Sequence, residues 1–127
     1  MSHIVLIEDN VNNAKIAQKL MVKAGFTVTV AEDGEMGLTA IFDEKPDLAL
    51  VDLGLPDIDG QTVVALLRQH EDHAKMPLIA FTAYPEATAQ EMAEAYGCDG
   101  VITKPINTRT FVSQVQAFIE KLAPVED

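Results

Sequence analysis

The chain has no tryptophan, a single cysteine (Cys98), and only nine basic residues against twenty acidic ones in 127 residues. A lone cysteine excludes an internal disulfide framework and fits a reducing, cytoplasmic setting. The shortage of Lys and Arg leaves a formal net charge of −11, which argues against nucleic-acid binding, since that requires cations to neutralise phosphates. No apolar run approaches the roughly 20 residues of a membrane span, so no membrane insertion is expected. The start, Met1-Ser2-His3-Ile4, lacks the basic and apolar regions of a secretory signal. What is present is a hydrophobic share of 48%, enough to build a core. The length fits one domain, expected to span 1–127 with a core over about 3–122 and a short tail at 123–127.

Short apolar runs alternate with helical patterns along the whole chain, the signature of βα units and a parallel sheet. The runs are Ile4–Ile7, Thr27–Val30, Leu48–Val51, Leu78–Phe81 and Val101-Ile102. Most are apolar without alternation, which implies burial on both faces. Between them, Ala17, Leu20, Met21 and Ala24 mark a first helix, starting near Asn12, and Gly25 suits its end. Gly37, Ala40 and Ile41 mark a second helix, and Val63, Leu66 and Leu67 a third. Pro85 fits the first turn of a fourth helix, whose face is Ala89, Met92, Ala93 and Tyr96 and whose end is Gly97. Phe111, Val112, Val115, Phe118, Ile119 and Leu122 mark the last.

Chemistry sits where the runs stop. Glu8-Asp9 follows the first run, Asp52 the third, Thr82 the fourth and Lys104-Pro105 the fifth. In a parallel sheet these ends share one carboxyl edge, the edge where open α/β sheets bind ligands. Three carboxylates, a hydroxyl and an ammonium there suit a divalent cation and a phosphoryl group. Alone, Asp9-Asn10 reads more readily as a helix cap. An acid directly after Leu-Ala-Leu-Val, as Asp52 is, needs a partner if buried.

Taken together, these residues resemble the receiver domain of two-component response regulators, over residues 3–122. The signs are Glu8-Asp9, Val51-Asp52-Leu53-Gly54-Leu55-Pro56 followed by Gly60, Thr82-Ala83, and Lys104-Pro105. The resemblance implies an α/β, flavodoxin-like, doubly wound five-stranded parallel sheet in the order 2-1-3-4-5, with helices on both faces. It implies Mg²⁺ as cofactor, held by Asp9, Asp52, the Gly54 carbonyl and, through water, Glu8. Asp52 would accept a phosphoryl group from a histidine kinase or a histidine phosphotransfer protein. Lys104, Thr82 and the Ala83 N–H would contact phosphoryl oxygens. The protein would then be a signalling module, promoting only its own phosphorylation and dephosphorylation and altering the binding of a downstream protein. A cis Lys104–Pro105 bond is also implied.

The chain departs from the family pattern at Val101, where many receivers carry an aromatic residue. Gly54 and Tyr84, each two residues after a site residue, occupy positions that tune phosphate loss in the family. Two rival functions carry different signatures. A phosphohydrolase of the haloacid dehalogenase type needs an acid where Gly54 stands. A phosphorylation-independent pseudo-receiver scaffold has no use for Asp9, Asp52, Thr82 and Lys104 together. Asp57 and Asp59 read as turn formers. His70-Glu71-Asp72-His73 reads as solvated surface rather than a metal site, for want of a third ligand. Cys98 reads as a small buried residue.

Overall fold

The computed structural model describes residues 2–122; the tail expected at 123–127 lies outside them. Five strands form one parallel sheet in the order β2-β1-β3-β4-β5. They are β1 (His3–Ile7), β2 (Thr27–Ala31), β3 (Leu48–Val51), β4 (Leu78–Thr82) and β5 (Gly100–Thr103). The helices between and after them are α1 (Val11–Lys23), α2 (Gly34–Glu44), α3 (Gly60–Gln69), α4 (Glu86–Tyr96) and α5 (Phe111–Leu122). A short 3₁₀ turn, Glu71–His73, precedes β4.

The strands separate two cores. Ile4 and Leu6 of β1, Leu48 and Leu50 of β3, and Ile79 and Phe81 of β4 face Ala14, Ala17 and Met21 of α1 and Phe111 and Val115 of α5. Val5, Ile7, Ala49, Val51 and Leu78 face Ile41 of α2 and Val63, Val64 and Leu67 of α3. Ala80 and Val101 meet Ala89 and Ala93 of α4 with Leu53. Because β1, β3 and β4 are covered on both faces, they read as unbroken apolar runs. The edge strand β2, by contrast, alternates Thr and Val.

Helix ends follow local chemistry. Asn10 accepts from the Asn13 N–H at 3.0 Å and starts α1. Gly97 closes α4 at φ 97°, a left-handed conformation that glycine adopts without strain. Three expectations shift. Pro85 is the residue before α4 rather than within its first turn. Leu66 is 42% exposed and Val64 takes its place in the core, because α3 buries the face running through Gly60, Val63, Val64 and Leu67. Ala24 is exposed, and Ala14 belongs to the buried face of α1.

Candidate functional site

The sheet ladder runs one residue beyond the strands and fixes the site. The Glu8 N–H donates to Ala31 O (2.9 Å), Asp52 N–H to Ile7 O (3.0 Å) and Lys104 N–H to Thr82 O (2.7 Å). Side chains at the carboxyl ends of β1, β3 and β5 are thereby held by backbone bonds of the buried sheet. Carboxylate oxygens of Glu8, Asp9 and Asp52 all lie within 4.8 Å of one another. Glu8, Asp52 and Thr82 are buried, whereas Asp9 is exposed. With Asn10 serving as the cap of α1, Asp9 is left to the cluster.

Lys104 joins the acids. Its Nζ lies 2.7 Å from Glu8 Oε1 and 3.3 Å from Asp52 Oδ2, and 5.1 Å from the centroid of the Phe81 ring. The Lys104–Pro105 peptide is cis. Asp52 Oδ1 accepts from the Gly54 N–H at 2.9 Å. The Tyr84 N–H donates to Thr82 Oγ1 at 3.2 Å, so the loop after β4 holds the threonine hydroxyl. Asp52, Gly54, Thr82, Ala83, Tyr84, Pro85 and Lys104 line one cleft of about 390 Å³. A larger cavity, about 690 Å³, lies elsewhere, against Pro46, Met76, Pro77 and Ile119. It gathers no comparable group of acids, and the chemistry places the site in the smaller cleft.

Crowding splits the two buried carboxyls. Burial pushes Glu8 up to about 7, and its hydrogen bond with Asp52 pushes the same way against the pull of Lys104. Burial also opposes ionisation of Asp52. The hydrogen bonds from Glu8 and from the Gly54 N–H outweigh it, with Lys104, and hold Asp52 below the usual carboxylate range. The two carboxyls are thereby driven apart, Glu8 toward its protonated form and Asp52 toward its ionised form. The donor set fits Mg²⁺: it is all oxygen, partly exposed at Asp9, and more negative than its single ammonium can neutralise.

The loop from Asp52 to Gly60 is pinned by residues whose roles sequence does not reveal. Asp57, expected to form a turn, lies in a bend and also reaches α2. Its Oδ1 accepts from the Gly34 N–H (2.8 Å) and its Oδ2 from the Glu35 N–H (3.1 Å). Asp59 does serve the local turn, capping α3 through the Gln61 N–H at 3.2 Å. A Cβ on Gly60 would sit 2.8 Å from Leu53 Cα, so only glycine lets α3 close on the loop.

His73 is buried, against expectation, with its ring 5.2 Å from the rings of both Phe42 and exposed His70. Among the described residues, Glu8, Asp9 and Asp52 form the one group of three or more ligating side chains close enough to share an ion. Cys98 is half-buried, and burial pushes its thiol up to about 11, which makes it a poor nucleophile.

The model of the response regulator receiver domain matches residues 4–116. The chain belongs to that family. The receiver's flavodoxin-like sheet, its strand order 2-1-3-4-5 and its helices on both faces are as the motifs imply. Among relatives, the polar-differentiation response regulator DivK of Brucella anthropi is 28% identical over 116 residues, covering 91% of this chain and 94% of DivK. Among solved structures, a CheY-like response regulator receiver protein from Methanospirillum hungatei JF-1 superposes with a TM-score of 0.85 at 23% identity, covering 96% of each chain. A chemotaxis response regulator of Vibrio cholerae gives 0.87 at 21% identity, over 93% of this receiver and 98% of that chain. At those identities the structural matches speak for the fold.

Proposed function

We propose that this receiver is a phosphoacceptor in which Asp52 takes a phosphoryl group from the phosphohistidine of a histidine kinase or histidine phosphotransfer protein. The observation that carries the reading is the convergence, on one sheet edge, of Asp52, two further carboxyls within 4.8 Å and Lys104 at 3.3 Å.

In this reading an Asp52 oxygen forms the new O–P bond while the P–N bond breaks, and the electron pair returns to the donor imidazole. Transfer of this kind is mainly positioning and charge neutralisation. Asp9, Asp52 and the Gly54 carbonyl would hold Mg²⁺ directly, and Glu8 through water. The ion supplies positive charge against the phosphoryl oxygens. Lys104 exchanges its contact with Glu8 for a phosphoryl oxygen, as a flexible ammonium is able to do. The Thr82 hydroxyl and the Ala83 N–H donate to other oxygens. Thr82 holds the Tyr84 N–H in the present state, so its movement toward phosphate would carry the loop 83–85 and the start of α4. Val101, where many receivers place an aromatic, already lies buried beneath α4. The surface that reports phosphorylation to a downstream protein would therefore be that loop and α4. A cytoplasmic location belongs to the same reading.

Incubation with a small phosphodonor and Mg²⁺ separates this reading from its rivals. One phosphoryl group gained per chain, followed by slow loss, supports it. Many turnovers of a small phosphate ester would indicate a phosphohydrolase, and no gain at all a scaffold.

A further inference from the structure

We propose that the free edge of β2, with the groove between it and α2, is a docking site for an extended cationic segment of a partner protein, which adds to the sheet as a sixth strand. The backbone argument is direct. Thr27 N–H donates to Ser2 O, and Ala31 O accepts from the Glu8 N–H, so the odd-numbered residues of β2 turn their backbone groups toward β1. Successive residues of a strand turn to opposite sides, so Val28 and Val30 direct theirs to the open edge. Among the described residues β2 pairs with β1 alone and ends the strand order. Such an edge is a ready template for another strand, and proteins ordinarily guard it with charge, proline or a bulge. Thr27-Val28-Thr29-Val30-Ala31 carries none of these along its pairing length.

The flanks define the occupant. On one side of the edge a groove of about 400 Å³ is lined by Thr29, Val30, Ala31 and the outer face of α2. Its ionisable residues are Glu35, Asp43 and Glu44, with no cation among them, and Met36 beside them is 51% exposed. Glu44 is partly committed, to the His3 ring at 2.7 Å and the Thr29 hydroxyl at 2.6 Å; Glu35 and Asp43 stand exposed. On the other side Val28 and Val30 pack on the apolar core beneath α1, and the hollow beside Val30 is lined by Val11, Ala14 and Gln18 together with the charged Glu8, Asp9, Lys15 and Glu32. An added strand presents alternate side chains to the two sides. The fitting segment therefore alternates Lys or Arg, toward α2, with small apolar residues, toward α1. Main-chain bonds supply attachment and the alternate pockets supply selection, as in other strand-addition complexes.

The test uses the full chain, isotopically labelled, and two synthetic peptides of equal charge: four Lys-Val repeats and four Lys-Pro repeats, the latter unable to donate from the positions that an antiparallel sixth strand turns toward Val28 and Val30. The Lys-Val peptide should shift amides from Val28 to Glu32 and along α2. The Lys-Pro peptide should bind about tenfold more weakly, as loss of several main-chain bonds requires. Glu35→Gln with Asp43→Asn, both exposed, should weaken the Lys-Val peptide without unfolding the chain. Asp52→Ala should leave it unchanged, which keeps this site separable from the phosphoacceptor reading. Equal binding of the two peptides, with shifts spread over all acidic helices, would reduce the effect to net charge and overturn the proposal. So would no binding of either. Concentration-dependent shifts at β2 without peptide would assign the edge to a second copy instead.

Discussion

Among single residues, the acids of the site are set against one another. Asp9 is not a cap, since Asn10 fills that role, and its carboxylate stands within 4.8 Å of two others. Asp9→Asn removes one like-charge contact. It should raise the apo protein's stability by on the order of 1 kcal/mol while weakening Mg²⁺ binding. Thermal unfolding with and without Mg²⁺ reads both, and a lower melting temperature with unchanged Mg²⁺ affinity would assign Asp9 a purely structural role. Glu8 gives the pH dependence. Its folded value of about 7 lies above the ordinary 4.5, so between those values the folded state holds more protons than the unfolded. Its contribution to apo stability is greatest below 4.5 and declines as pH rises to about 7. Each tenfold difference in proton affinity between the two states is worth about 1.4 kcal/mol. Asp52 acts oppositely and only in acid: its depressed value stabilises above 3.8 and is lost as pH falls further. Denaturation of the apo protein at pH 5 and pH 8 should show a declining contribution that Glu8→Gln abolishes. Mg²⁺ affinity should rise over the same interval, because an ion site needs its carboxylates deprotonated.

At the level of elements, two long-range ties hold loops in place. Arg68, at the end of α3, donates to Met76 O (2.6 Å), Ala74 O (3.2 Å), Gly97 O (3.1 Å) and Asp99 Oδ2 (2.8 Å). It joins the turn before β4 to the end of α4 and the approach to β5. Arg68→Ala should cost on the order of 2–3 kcal/mol in chemical denaturation, because several carbonyls lose their donor at once. Lysine should restore little of that, lacking the planar fork. The second element-level expectation concerns the loop Ala83-Tyr84-Pro85. With Val101 in the aromatic position, beryllofluoride should shift amides from Thr82 through Tyr96; shifts centred on Val101 and α5 would move the reporting surface there. Tyr84 is 45% exposed at the rim of the phosphoryl cleft, and Gly54 offers no side chain to position water. Tyr84→Ala should therefore speed phosphate loss if Tyr84 shields the site, and an unchanged rate removes that role. The ties themselves were not legible in the sequence. Asp57 lies 23 residues from Gly34, and Arg68 31 from Asp99, so no local pattern links them. Helical period pointed to Leu66 rather than Val64, and the direction in which α3 approaches the sheet reverses that choice.

The whole molecule was legible for a different reason. Strands buried on both faces must be apolar throughout, so Ile4–Ile7, Leu48–Val51 and Leu78–Phe81 announce themselves, and the polar residue that ends each run falls at the same sheet edge. The ladder bonds from Glu8, Asp52 and Lys104 turn that sequence regularity into geometry. What the runs cannot carry is charge distribution in three dimensions, and for that reason the contact of Lys104 with Glu8, closer than its contact with Asp52, came only from the fold. On the proposed reading, this edge makes Asp52 the phosphoacceptor. The most direct test of that reading is intact-mass and peptide mapping of the wild type and Asp52→Ala after exposure to a small phosphodonor with Mg²⁺. One phosphoryl group is expected on the Asp52 peptide of the wild type and none on the variant. A stable phosphoaspartate at Asp9 or Asp57, or equal labelling of the variant, would contradict it.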